Sequence, residues 1–176
     1  LNDIPVVDNR DINLSKVTDY IKQIKPNYLL CAHFNQLLKE PILTIENLQC
    51  INIHPSLLPN YKGVDPVFFA MRDNVEEIGV TVHKMDKNFD SGDILLQTTM
   101  KLNRTKSLLS NNCELFEEGM RLAVTWIKNN KNQIDMVFSN NETYEHYDSW
   151  PTRSDIKMFK NSGKRLMNFS GLWKQQ

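Results

Sequence analysis

Between Ser107 and Asn130, Leu108, Leu115, Phe116, Leu122, Ala123, Trp126 and Ile127 fall on or near one face of a helix, the longest such pattern in the chain. A shorter one runs from Ser15 to Lys25, with Val17, Tyr20, Ile21 and Ile24 at helical spacing, and Pro26 stops it. The runs "NYLLCAHF" (27 to 34) and "CINI" (50 to 53) are continuously apolar and of strand length, as strands covered on both faces are. "EPILTI" between them makes a short helix. Asp65-Pro66 then opens a further helix, "VFFAMRD", with proline at its first position. "GVTVHKM" (79 to 85) and "ILLQTTMKL" (94 to 102) read as strands around the polar loop "DKNFDSGD". Near the end "ETYEHYDSW" reads as an aromatic loop, and Thr152-Arg153-Ser154-Asp155 as a capping box for a last helix that Gly163 closes. At the front, Pro5-Val6-Val7 looks like a short strand met in mid-fold. The strand, helix, strand alternation predicts a doubly wound α/β sheet with the long helix packed across it. Residues 1–150 are expected to form the catalytic core and 151–176 a C-terminal helix and tail.

Within this frame the stretch "INIHPSLLPNYKG" (51 to 63) is unusual, because an apolar strand ends on polar groups that prolines then stiffen. Side chains two apart on a strand share a face, so Asn52 and His54 point one way while Ile51 and Ile53 fill the other side. Pro55 biases His54 to extended backbone and cannot continue the ladder, so pairing ends at the histidine. In open α/β sheets that carboxyl end is where ligands bind. An imidazole passes protons near neutral pH, and a carboxamide donates a hydrogen bond to a developing oxyanion. Asp90, in "NFDSGD", is the candidate carboxylate to orient the imidazole, with Gly92 letting the loop fold back tightly. The structural alternatives are a hydrogen-bonded strand-end histidine and an Asx-turn aspartate.

Composition narrows the classes. With 40% hydrophobic residues the 176-residue chain is of globular type, and 21 Lys plus Arg balance 21 Asp plus Glu, so no overall field draws it to nucleic acid or an anionic membrane. Cys31, Cys50 and Cys113 lack CxxC spacing, which argues against a disulfide framework or zinc ribbon and fits a reducing cytoplasm. No apolar run approaches bilayer length. A metal hydrolase built on His54, His83 and Asp90 matches no HExxH or CxxC pattern, so no metal is expected. Ser56 lacks a G-x-S-x-G elbow, and no Gly-rich nucleotide loop occurs.

"INIHPSLLPNYKG" followed by "GVTVHKMDKNFDSGDIL" resembles the formyltransferases that use 10-formyltetrahydrofolate, whose pattern is N-x-H-x-S-L-L-P, then a G-V-T strand and a D-x-G-D loop. The resemblance runs from about Ile4 to Gly163. It implies a Rossmann-like, doubly wound, mainly parallel sheet, with Asn52, His54 and Asp90 on the catalytic triad. It also implies that the folate pterin lies against backbone of Asn35, Gln36, Leu37 and Leu38, and of Asp86, Lys87, Asn88 and Phe89. Leu37 and Leu38 are equally readable as core. Members of the family begin with a further strand and helix ahead of the point where Ile4-Pro5-Val6 aligns. The expectation is therefore an N-terminally incomplete sheet that pairs with another chain, a possible homodimer.

Among acceptors, "NYKGVDPVFFAM" and "SWPTRSDIKMFKNSGKRL" most resemble the sugar N-formyltransferases, which act on nucleotide-linked amino sugars. The initiator-tRNA enzymes usually carry a GAAP-type sequence at Gly63-Val64-Asp65-Pro66 and a further C-terminal domain, and the glycinamide ribonucleotide enzymes tend to read GLH there. The expected acceptor is a dTDP- or UDP-linked amino sugar, with Lys62 and Arg153 at its diphosphate and Tyr147 or Trp150 against its base. For each of these residues a plain surface or core role competes. The different-class alternative is an inactive fold serving as a binding or oligomerisation module.

Overall fold

The strand Gln49–His54 (β2) organises the molecule, and the computed structural model describes residues 10–129 and 147–168 around it. Ile51 and Ile53 are 0% and 1% exposed and stand in the main core, while Asn52 and His54 leave on the opposite face, as period-two alternation demands. On one side lies β1 (Tyr28–Ala32), parallel to β2, with Leu30 opposite Ile51 and Ala32 opposite Ile53. On the other lies β4 (Glu77–Lys84), antiparallel, with Asn52 opposite His83 and His54 opposite Thr81. β5 (Ile94–Lys101) pairs antiparallel with β4, and the order is β1-β2-β4-β5.

Only the β1/β2 half of this sheet is parallel, so among the described residues it is mixed and not mainly parallel. The reason lies in the connections. β4 and β5 are joined directly by residues 85–93, which contain no crossover helix, and strands so joined pair as a hairpin. Lys84 N–H donates to the Asp93 carbonyl at 2.8 Å across the neck of that loop. A buried apolar run looks alike in either direction, so direction was not readable from hydrophobicity.

Helices cover both faces. α4 (Leu108–Asn129) crosses one, burying Leu115, Ala123 and Trp126 with Ile53, Val80 and Val82. α1 (Ser15–Ile24) and the short α2 (Glu40–Leu43) cover the other, where Ile21, Leu38, Ile42, Leu48 and Cys50 form a second cluster. Burial pushes the Cys31 and Cys50 thiols up to about 12 and about 11, so both are inert, protonated core groups. α3 (Pro66–Arg72) begins at the expected proline, capped by Asp65, whose carboxylate accepts from Phe68 N–H. The last helix, α5 (Arg153–Asn161), opens on the expected capping box: Thr152 Oγ1 accepts from Asp155 N–H at 3.2 Å, and Asp155 Oδ2 accepts from Thr152 N–H at 2.9 Å. Its Phe159 stacks on Phe68 at 4.7 Å inside the main core.

A second, two-stranded sheet joins β3 (Lys62–Gly63) to β6 (Tyr147–Asp148) in parallel. The aromatic segment read as a loop thus contains a strand, too short for periodicity to register. The strand expected at 5–7 and the front part of the aromatic segment lie outside the described residues. No helix among the described residues is long and apolar enough to cross a membrane.

α4 packs tightly on the sheet at Gly119, where a Cβ would run into Ile53 Cγ2 and Val80 Cγ2. Gly119→Val is expected to lower stability by about 1–3 kcal/mol through overpacking, measured by urea denaturation. An unchanged midpoint would show that helix and sheet separate freely at this point.

Candidate active site

Three segments meet where β2 ends. β2 delivers Asn52 and His54, and the ladder stops at His54 as Pro55 requires. The β4–β5 loop delivers Asp90, whose Oδ1 lies 3.3 Å from His54 Nδ1, with the two side chains 10% and 5% exposed. β3 delivers Gly63, whose N–H donates to Asp90 Oδ2 at 3.1 Å. Each oxygen of the carboxylate therefore has its own partner, one orienting the imidazole and one anchoring the loop. Asp86 shapes the turn ahead of Asp90, and Asp86 Oδ1 accepts from Asn88 N–H at 2.8 Å and Ser91 Oγ–H at 2.7 Å.

Tight approach explains Gly92, and tight approach together with a positive φ explains Gly63. A Cβ on Gly92 would strike the Lys84 carbonyl, and one on Gly63 the Asp148 carbonyl. The left-handed conformation in the loop falls instead on Asp90 itself, at φ 51°. Gly63, at φ 126°, is thus pinned between Asp148 on one side and the carboxylate of Asp90 on the other.

His83, weighed from sequence only as a metal ligand, proves central to the polar network. Its Nδ1–H donates to its neighbour's carbonyl, Lys84 O, at 2.7 Å, which leaves Nε2 as an acceptor for Asn52 Nδ2–H at 3.2 Å. Burial and repulsion from His54 push His83 down to about 4, against the pull of Asp90, the Lys84 carbonyl and Asp86, so it is neutral at pH 7. A neutral His83 holds the amide of Asn52 with its nitrogen toward β4, and Asn52 Oδ1 is buried without a partner. His54 faces two acceptors, Asp90 Oδ1 and, at 3.0 Å from Nε2, the carbonyl of Tyr61. His54, His83 and Asp90 do converge, with His83 Nε2 3.8 Å from Asp90 Oδ1. No group of three or more His, Cys, Asp or Glu side chains placed to hold a metal occurs among the described residues.

The triad opens on a cleft of about 410 Å³. Asn35, Phe89, Tyr147 and Trp150 line it together with Asn52, His54 and Asp90. The side chains of Gln36, Leu37, Leu38, Asp86, Lys87, Asn88, Lys62 and Arg153 do not. Gln36 bonds to the backbone of Arg10 and Ile12, Leu37 offers its carbonyl to Asn13, and Leu38 is 1% exposed in the second core cluster. Lys62 is half-buried in β3, and Arg153 is exposed at the start of α5. Phe89 and Tyr147 lie 5.9 Å apart, and Trp150 is 70% exposed at the rim. The Tyr147 hydroxyl is raised by partial burial and by the Asp90 charge. Three lining residues, His33, Asp65 and Asn112, carried no signal by spacing, because topology alone brings them to the cleft.

A family model described as formyl transferase matches residues 5–125. The chain belongs to the formyl transferase family. Formyl transferase relatives include the methionyl-tRNA formyltransferase of Thermotoga maritima, 34% identical over 54% of this chain and 31% of that protein. The bifunctional polymyxin resistance protein ArnA of Wigglesworthia glossinidia brevipalpis is 35% identical over 75% of this chain and 21% of its own length. A 4-N formyltransferase from Francisella tularensis superposes with a TM-score of 0.65 at 25% identity, covering 85% of this chain and 57% of its own. The formyl transferase fold is thereby shown, and the chain spans about a third of the length of the first methionyl-tRNA formyltransferase it matches.

The sign of the His83 effect is testable. Because its folded-state pKa sits below that of an unfolded histidine, the unfolded chain binds more protons between about pH 4 and pH 6.5. Stability is therefore full above about pH 6.5 and falls as pH drops toward 4. His83→Gln, which keeps an acceptor for Asn52, is expected to lose less stability over that window in parallel urea titrations. Identical pH dependence in the two proteins would mean that His83 is not held neutral by the fold.

Proposed function

We propose that this chain transfers the formyl group of 10-formyltetrahydrofolate to the primary amine of a nucleotide-linked amino sugar. The observation that carries the reading is the meeting of Asn52, His54 and Asp90 in one cleft, with Asp90 Oδ1 3.3 Å from His54 Nδ1. The amine lone pair attacks the formyl carbon, a carbon–nitrogen bond forms, and the carbonyl electrons move to oxygen. Asn52 keeps one N–H on His83 and has a second to donate to that oxyanion. His54, exchanging its Tyr61 partner for the reacting nitrogen, accepts the proton of the amine and delivers it to N10 of the folate as the bond to the formyl carbon breaks. Asp90 holds the imidazole and stabilises its charged form, and Gly63 N–H keeps Asp90 in place.

The residues fit the folate in one specific respect. Asn35 and Phe89, one from each segment expected to meet the pterin, both line the cleft that holds the triad. We assign the remaining backbone of 36–38 and 86–88 to the same contact. For the acceptor, support comes from the sugar-enzyme pattern of "NYKGVDPVFFAM" and from aromatic Tyr147 and Trp150 at the rim, suited to a nucleobase. Lys62, opposite Tyr147 in the β3–β6 pair, and Arg153, close after Trp150 in the chain, are assigned to the diphosphate. Relatives named methionyl-tRNA formyltransferase make that amine the second reading, and it belongs in the same assay panel.

In single-turnover assays with amino-sugar nucleotides, His54→Ala is expected to abolish transfer with the far-ultraviolet circular dichroism unchanged, since the side chain faces a cleft and not the core. Asp90→Asn is expected to slow transfer by about 10³–10⁴-fold. Substantial turnover by His54→Ala, or an unchanged rate in Asp90→Asn, would remove that residue from the mechanism.

A further inference from the structure

We infer that Asp65, with Asn112 and His33 beside it, forms a hydroxyl-binding corner of the cleft that selects a polyhydroxylated acceptor ring. The inference rests on the amino-sugar reading above and names the residues that read the sugar. β1 and β2 are parallel with Ala32 level with Ile53, so the next residues, His33 and His54, leave the sheet side by side. His33 turns out at φ 52°, and its ring stacks on Phe116 of α4 at 3.9 Å and 25°. Asn112, on the same helix, and His33 both favour the charged form of the Asp65 carboxyl. All four residues line the cleft that holds Asn52, His54 and Asp90.

Capping α3 explains only part of Asp65. A cap needs one side-chain oxygen, which serine supplies as well, and Phe68 N–H occupies Oδ1 at 3.3 Å. What stands here is a half-buried carboxylate, held above the ordinary carboxyl range by burial against the pull of Phe68 N–H, Asn112 and His33. A partly desolvated carboxylate gains from a further O–H donor. Next to it a carboxamide and an imidazole offer donors and acceptors, a set that matches the hydroxyls of a saccharide. The negative charge of Asp65 also repels phosphate, which keeps the diphosphate of a nucleotide out of this corner.

The test is steady-state transfer to a panel of dTDP- and UDP-linked amino sugars and their ring-deoxy analogues by wild type, Asp65→Asn and Asp65→Ser. Both replacements are good helix caps, so α3 is retained. With the preferred sugar, Asp65→Ser is expected to raise KM by about 10–100-fold, the range for one hydrogen bond to a charged group, with the loss falling on KM and not on kcat. With the analogue lacking the recognised hydroxyl, wild type and Asp65→Ser are expected to converge. Unchanged KM in Asp65→Ser, an equal rise for every analogue, or a loss confined to kcat would each overturn the inference while leaving the amino-sugar reading standing. Failure of the wild-type chain to formylate any sugar in the panel would overturn that reading and the inference together.

Discussion

The antiparallel pairing of Gln49–His54 with Glu77–Lys84 is the constraint on which the site depends. It sets Asn52 opposite His83 and His54 opposite Thr81, and it makes the loop after Lys84 return alongside the end of β2. A slip of one residue would turn Asn52 and His54 into the core and Ile51 and Ile53 into the cleft. The burial of both isoleucines at 0% and 1% exposure is therefore also what holds the polar pair in place. Hydrophobic packing on one face sets the position of chemistry on the other.

Electrostatics then sorts the polar groups that this register collects. Two histidines lie with ring centroids 6.3 Å apart and share one carboxylate, yet they are not equivalent. His83 is driven neutral by burial and by repulsion from His54, and it serves as an acceptor that orients the Asn52 amide. His54 has the shorter approach to Asp90 and lies at the cleft. Gly63 ties the carboxylate to β3, which pairs with β6 of the C-terminal segment. The C-terminal segment thus bears on the geometry of the triad, although Arg153 itself does not reach the cleft.

Much of this was legible in the sequence. The alternation of "INIH" and the following proline located the strand end, apolar periodicity located α1 and α4, and the Asp65-Pro66 and Thr152–Asp155 signals located two helix starts. The motif resemblance paired Asp90 with His54 across a separation that spacing alone cannot bridge. What was not legible depends on pairing between distant segments. The direction of β4 and β5, the two-residue β6, and the meeting of Asn52 with His83 are matters of register, which no local pattern carries. His33, Asp65 and Asn112 likewise come from separate elements, and a single polar residue at a strand end or helix cap reads as structural on its own. Gly92 was read as a source of turn freedom, whereas its contribution is room for the Lys84 carbonyl.

Because the family relatives are longer than this chain, the acceptor and the whole-protein activity rest on direct chemistry. The central claim is that His54 and Asp90 act as one unit. A double-mutant cycle on single-turnover formyl transfer, comparing wild type, His54→Asn, Asp90→Asn and the double variant, measures that coupling. The account predicts a double variant about as slow as His54→Asn alone, because a carboxylate has nothing to orient once the imidazole is gone. Losses that multiply, as for independent sites, would contradict it.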